Sequence, residues 1–378
     1  MEKCLVTKLN GSSDNSELMR VGEMRMKISK VTAPTNDTQG FTIIVSKPIT
    51  LEIIGEGYFT DITLTENKGK TLALNTGVNG IWVSNNDVEI AISDKYSLNS
   101  ISIISQGVKV AYGSNKYFNI ADFKYSSSLT NLTLASTQVS GDIASLKNLT
   151  RLGFLHLNYT QVSGDIANLN NLTALTTLYL TNTQVSGDIA NLNNLTALTT
   201  LSLTNTQVSG DIANLKNLTS LVTLYLDNTQ VSGDIANLKN LTALTTLYLT
   251  NTQVSGDVEV FSGMKNIKVV SLKNSTFTGD LSKIPDSCGF ISFQYNINTV
   301  LSWTNRPSTA YILAIEGNAK ITNVDKMLQD QAQCKVGFTE SSPIWYKTIS
   351  CVGTRTSASD AAVATLQSKG YTVSITPA

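Results

Sequence analysis

LTTLYLTNTQVSGDIANLNNLTA, from Leu175 to Ala197, decides the fold because it is one member of a series. Gly141, Gly164, Gly187, Gly210, Gly233, Gly256 and Gly279 stand 23 residues apart, and copies open at Leu129, Leu152, Leu175, Leu198, Leu221, Leu244 and Ile267. Seven copies of one short unit point to stacked coils rather than a single compact core. Within a copy, L-x-x-L-x-L ends in alternation of period two, which predicts a short strand with Leu178 and Leu180 inward. Val185, Ile189, Leu192 and Leu195 continue the inward set along a return path that suits a 3₁₀ segment and is too short for a full α-helix. One copy cannot bury its own apolar edge. Stacking aligns the leucines into columns and lays the strands about 4.8 Å apart in a parallel sheet. The recurring glycine marks a backbone conformation, or a close approach of coils, that a side chain would block.

The consensus LxxLxLxxTxVxGDIxxLxxLxx over residues 129–289 resembles the leucine-rich repeat, nearest the subclass with LxGxIP in its second half. The resemblance implies a solenoid with a parallel β-sheet on its concave face, and a protein that recognises a ligand rather than one that catalyses a reaction. Two departures stand out. At position nine the family carries an Asn whose amide ladders between coils. Here that position holds Thr137, Thr160, Thr183, Thr206, Thr229 and Thr252, then Ser275, so a hydroxyl column is expected to replace the ladder. The family's Pro after Ile is Ala144, Ala167, Ala190, Ala213 and Ala236. The pattern is more similar to bacterial surface repeat proteins than to plant receptors.

Around the repeats the composition changes. Residues 1–95 read as a small β-rich domain of short apolar runs, such as Phe41 to Ile54, GIWVS and DVEIAIS, broken by turn residues. Residues 96–128 read as a degenerate capping repeat, because Ile120 and Phe123 lie 23 residues before Ile143 and Leu146. Residues 290–378 read as degenerate repeats and an α/β C-terminal cap. FISFQYN and AYILAIEGN suit strands, VDKMLQDQAQC suits a helix, and SASDAAVATLQSKGYTVSIT suits a helix stopped by Gly370 and a last strand.

Lys plus Arg and Asp plus Glu are both 28, so the net charge is zero, without the basic footprint of a nucleic-acid or anionic-membrane binder. Charged residues make up only 15% of the chain, which leaves a neutral, hydrogen-bonding surface suited to glycans or neutral protein faces. No run of 18 apolar residues suggests a membrane span. The opening MEKCLVTKLNGSSDNSE turns polar too soon for a secretory signal. Cys4, Cys288, Cys334 and Cys351 are too sparse for a disulfide framework and lack CxxC spacing. One bridge among the last three stays open beside free buried thiols.

His156 is the only histidine, and no GxGxxG, GxxxxGK[ST], HExxH or GxSxG motif is present, so the reading is of no enzyme, no cofactor and no metal. The column Asp142, Asp165, Asp188, Asp211, Asp234, Asp257 and Asp280 could attract calcium, but an Asp after Gly more often accepts a local turn amide. The NLT triplets at Asn131, Asn148, Asn171, Asn194, Asn217 and Asn240 match a glycosylation sequon, yet five share one repeat position and are inherited with it.

What varies between copies is left for function. Positions three, five and seven of each strand alternate with the buried leucines and face the open side of the sheet. Position five carries Thr133, His156, Tyr179, Ser202, Tyr225, Tyr248 and Ser271. Position three adds Phe154 and Val269, and position seven adds Asn158, Asp227 and Lys273. Phe154, His156, Tyr179, Tyr225, Asp227 and Tyr248 are therefore the candidate ligand-binding residues on the concave face, suited to stacking on sugars or anchoring a peptide. The plainer alternative is that tyrosine fills strand positions for which it has high propensity. The expected function is recognition or adhesion of a protein or glycan at a cell surface. The alternative is a structural or host-recognition component of a phage or tail-like particle, either virion or particle associated.

Overall fold

In a computed structural model of the chain, the described residues are the backbones of eight strands between Ser16 and Ile104, and residues 119–378 apart from 125–126, 128, 138, 297–298 and 338–343. The opening segment with Cys4 and the GIWVS run lie outside them. The chain divides into two units, Met1–Val185 and Ser186–Ala378.

The first unit begins β-rich. Met24–Ser29 pairs antiparallel with Ser16–Val21 and parallel with Thr50–Ile54, which pairs antiparallel with Glu89–Ile92. The run from Phe41 to Ile54 thus contributes to two strands, Gln39–Val45 and Thr50–Ile54. A second group pairs Gln39–Val45 with Phe59–Glu66 and Leu98–Ile104, and Phe59–Glu66 with Lys70–Asn75. Leu98–Ile104 then pairs parallel with the first repeat strand, Asn131–Thr133, so the repeat sheet starts from the β-rich segment. Ile120–Phe123 forms a 3₁₀ turn with Ile120 and Phe123 fully buried, and Asn119 stands in for the repeat's Asp by accepting the Ala121 amide at 2.9 Å.

Each regular coil carries two strands and a 3₁₀ turn. In the first unit Phe154–His156 pairs in register with Asn131–Thr133 and Thr177–Tyr179. In the second, Thr200–Ser202, Thr223–Tyr225, Thr246–Tyr248 and Val269–Ser271 pair in the same way. The coil starting at Leu221 buries Leu221, Leu224, Leu226, Val231, Ile235, Leu238 and Leu241 completely. Each such leucine is worth about 2–5 kcal/mol against truncation to Ala. The QVSGD segment, not anticipated as a strand, makes a second parallel ladder, pairing Ser209 with Gln230 and Ser232 with Gln253. The return path then closes through 3₁₀ turns such as Ile212–Leu215 and Ile235–Leu238.

The Gly-Asp pair shows how tightly the coils stack. Gly233 has φ +103°, a region closed to L side chains, and a Cβ there would collide with the Asp211 carboxylate of the preceding coil. That carboxylate is in place because Asp211 caps the next 3₁₀ turn, its Oδ1 accepting the Ala213 amide at 2.8 Å. The bond recurs from Asp142 to Asp280, the local turn role read from the sequence.

The expected hydroxyl ladder is corrected. Thr206, Thr229 and Thr252 each donate to the carbonyl three residues back in their own coil, at 2.6, 2.6 and 2.8 Å, as Thr160 and Thr183 do in the first unit. A threonine hydroxyl is too short to bridge coils while also closing its own turn. Within this column Ser275 is the member that reaches across, donating to the Thr252 carbonyl at 3.1 Å. The coil-to-coil ladder lies one residue earlier: Asn228 donates to Asn205 at 2.6 Å, Asn251 to Asn228 at 2.5 Å, and Asn274 to Asn251. These asparagines have φ of 55–57°, a left-handed conformation that Asn tolerates better than most residues.

Beyond the seventh copy the sheet continues. Phe290–Phe293, Ala314–Gly317, Thr348–Val352 and Thr372–Thr376 add in parallel. The return paths of the last coils are true helices, Val324–Gln333 and Asp360–Ser368, the second stopped by Gly370 at φ +88°. The α/β cap is thus built as further coils of one sheet. Cys288, Cys334 and Cys351 are buried and free.

Candidate functional site

The candidate residues fall into two groups, one in each unit. In the first, parallel register sets His156 beside Tyr179, with ring centroids 4.8 Å apart. Phe154 meets both edge-on, at 6.3 Å from His156 and 6.2 Å from Tyr179. The three rings are half-buried on the strand face. Burial holds the His156 imidazole below its ordinary pKa, so the ring is neutral at pH 7.

In the second unit Tyr225 and Tyr248 sit opposite each other in register, rings at 5.0 Å and 67°, an edge-to-face pair worth about 0.5–1.5 kcal/mol beyond its buried area. Burial, and then the neighbouring Tyr225, Tyr346 and Asp227, raise the Tyr248 phenol above its ordinary value, so it remains a neutral donor. Asp227 sits two residues after Tyr225, but its carboxylate is engaged by the framework. Oδ1 accepts the Thr250 amide at 2.8 Å, and Oδ2 lies 3.5 Å from the Thr204 hydroxyl. Asn158 does the same in the first unit, accepting the Thr181 amide at 2.7 Å. Burial raises the Asp227 pKa against the hydrogen bonds that stabilise its charge. Both position-seven residues therefore brace adjacent coils before they meet any ligand.

Sequence reasoning missed several features of these faces. Tyr159, 60% exposed, and Tyr295, 68% exposed, occupy the left-handed position where other coils place Asn, at φ 59° and 64°. A bulky side chain there is strained, and its only sequence signal is the break in the Asn column. In the second unit Lys273 donates to Gln294 at 2.6 Å and lies 3.7 Å from Glu316, while Gln294 donates to the same carboxylate at 2.7 Å and the Ser292 hydroxyl donates to it at 3.1 Å. Tyr346, on the turn Ile344–Lys347, packs against Phe290 with centroids 5.8 Å apart. Of Lys273, Ser292, Gln294, Glu316 and Tyr346, only Lys273 belongs to a regular copy, so no period pointed to the other four.

These elements define a leucine-rich repeat fold, whose repeated columns are spent on stacking and whose variable side chains stand on the strand face. Structurally the chain is similar to bacterial internalins: it matches internalin InlF of Listeria monocytogenes with a TM-score of 0.55 and 23% identity, over 74% of this chain and 82% of that one. Internalin C2 of the same species aligns at 29% identity over 45% of this chain and 78% of that one, with a TM-score of 0.34. The ectodomain of the Arabidopsis thaliana receptor kinase GASSHO1/SCHENGEN3, solved with CASPARIAN STRIP INTEGRITY FACTOR 2, gives 0.49 and 18% identity over 72% of this chain. That match covers 38% of the receptor, so the chain spans less than half of its length. No family model matches the sequence, and no curated protein matches it. Among the described residues no helix is long and apolar enough to cross a membrane.

Proposed function

We propose that this is a non-enzymatic recognition or adhesion protein that binds a protein or glycan partner through the strand face of its repeats, at a cell surface. The observation that carries the reading is where the exceptions fall. The Gly, Asp, Thr and Asn columns are each engaged in closing or joining coils. At strand positions three and five the exceptions gather instead as half-buried rings on the strand face, Phe154, His156 and Tyr179 in one unit and Tyr225 and Tyr248 in the other. Rigid rings with polar tips give contact area at small entropic cost, which is why aromatic residues dominate binding hot spots.

The test is a protein and glycan binding array read with the intact chain and with a Tyr179→Ala/Tyr225→Ala/Tyr248→Ala variant. Loss of about tenfold or more in affinity is expected, since each truncated hot-spot ring costs more than about 1 kcal/mol. Full retention of binding by the triple variant would reject the strand face as the site.

A further inference from the structure

We infer that the strand face of the second unit, from Tyr225 and Tyr248 to Tyr346, is a subsite for a neutral oligosaccharide, with Lys273, Gln294 and Glu316 as its polar wall. The inference rests on the strand-face reading above and adds a ligand class and four residues to it.

Tyr346 is built into the face. Its turn lays the ring on Phe290, which is only 5% exposed, and on Gly289, where an added Cβ would stand 3.1 Å from the ring. The ground between the rings is small and polar: Ser271 is buried beside Tyr248's strand, its hydroxyl 2.9 Å from that of Thr250. Beyond it, Lys273, Gln294 and Glu316 close a network in which the single positive charge meets the single negative one. Asp227 is held by Thr250 and Thr204.

The ligand class follows from this chemistry. An anionic or cationic ligand would have to compete with a charge pair already made and would recover little for the desolvation. A protein hot spot wants an apolar anchor in a pocket, whereas the ground beside these rings is polar. A neutral sugar ring has an apolar C–H face for the tyrosines and hydroxyls that both give and accept hydrogen bonds. The amide, ammonium and carboxylate of the polar wall match those hydroxyls without needing a net charge.

The experiment applies the intact protein to immobilised neutral hexose and N-acetylhexosamine oligomers, sialylated and sulfated oligosaccharides, and a panel of extracellular proteins. The expected result is retention of a neutral oligosaccharide, weakened about tenfold by Tyr346→Ala and preserved by Tyr346→Phe, which keeps the ring. Should Tyr346→Ala fail to fold, Glu316→Gln with Lys273→Met replaces it, with the same loss expected. Binding of a protein or a charged glycan that depends on Tyr225 and Tyr248, with no neutral glycan retained, overturns the ligand class and leaves the strand face standing. Neutral-glycan binding that survives Tyr225→Ala/Tyr248→Ala overturns this inference, and binding that also survives the added Tyr179→Ala overturns both readings. Retention of no neutral oligosaccharide, or binding indifferent to Tyr346 and to the polar wall, overturns this inference.

Discussion

Replacing Gly233 with Ala tests the coupling between coils most directly. The new Cβ would sit on a residue at φ +103° and collide with the Asp211 carboxylate of the preceding coil. Backbone strain of this kind costs about 1–3 kcal/mol. The second effect is indirect: the displaced carboxylate releases the Ala213 amide it accepts at 2.8 Å, and a lost cap costs about 0.5–2 kcal/mol. Together Gly233→Ala should destabilise by roughly 2–4 kcal/mol, against about 1 kcal/mol for Asp211→Ala alone. The two costs should not add. With Asp211 already removed the collision is gone and the cap cannot be lost twice, so the double variant should fall short of the sum by about 1 kcal/mol. Urea unfolding followed by circular dichroism measures the three variants. Because repeat arrays need not unfold in one step, hydrogen exchange at the Ala213 amide supplies a local readout. An additive double variant, or a Gly233→Ala protein whose Ala213 amide stays protected, would refute the argument.

Three further outcomes follow from titratable groups. Burial keeps the His156 pKa low, so the unfolded chain gains its proton first, at about pH 6.5. Stability should therefore decline from there down to the lower folded value, and His156→Asn should remove that decline in pH-dependent urea titrations. Asp325 is held below the ordinary carboxylate range chiefly by the Ser359 hydroxyl at 2.6 Å, then by the hydroxyl and amide of Thr356 at 2.6 and 3.0 Å. Its contribution is present above the ordinary value of about 3.9 and lost as pH falls through the folded one. Asp325→Asn should then flatten the acid limb of a melting-temperature profile. Burial pushes the Cys288 and Cys351 thiols up to about 12, so in a Cys4→Ser/Cys334→Ser background neither should react with a thiol reagent at pH 8 until the chain unfolds. Rapid labelling of the native protein would contradict their placement.

The sequence by itself determined the coil. A 23-residue period with leucines at fixed places leaves one way to bury them, and it also located His156, Tyr179, Tyr225 and Tyr248 on the open side of the strands. It correctly assigned Asp211 and its equivalents to local turns, because a carboxylate after glycine lies within reach of the amide two residues on. It mistook Thr229 and its equivalents for the ladder, because pattern comparison shows which position has changed but not which neighbour a short hydroxyl can reach. Only the tertiary structure decided that the ladder lies at Asn205, Asn228 and Asn251, that Asp227 braces Thr250, and that Tyr346, Gln294 and Glu316 join the face of the second unit. The physical reason is range. Periodicity encodes contacts that recur from coil to coil, whereas a side chain brought in once by an irregular turn leaves no period, and folding alone shows what it touches.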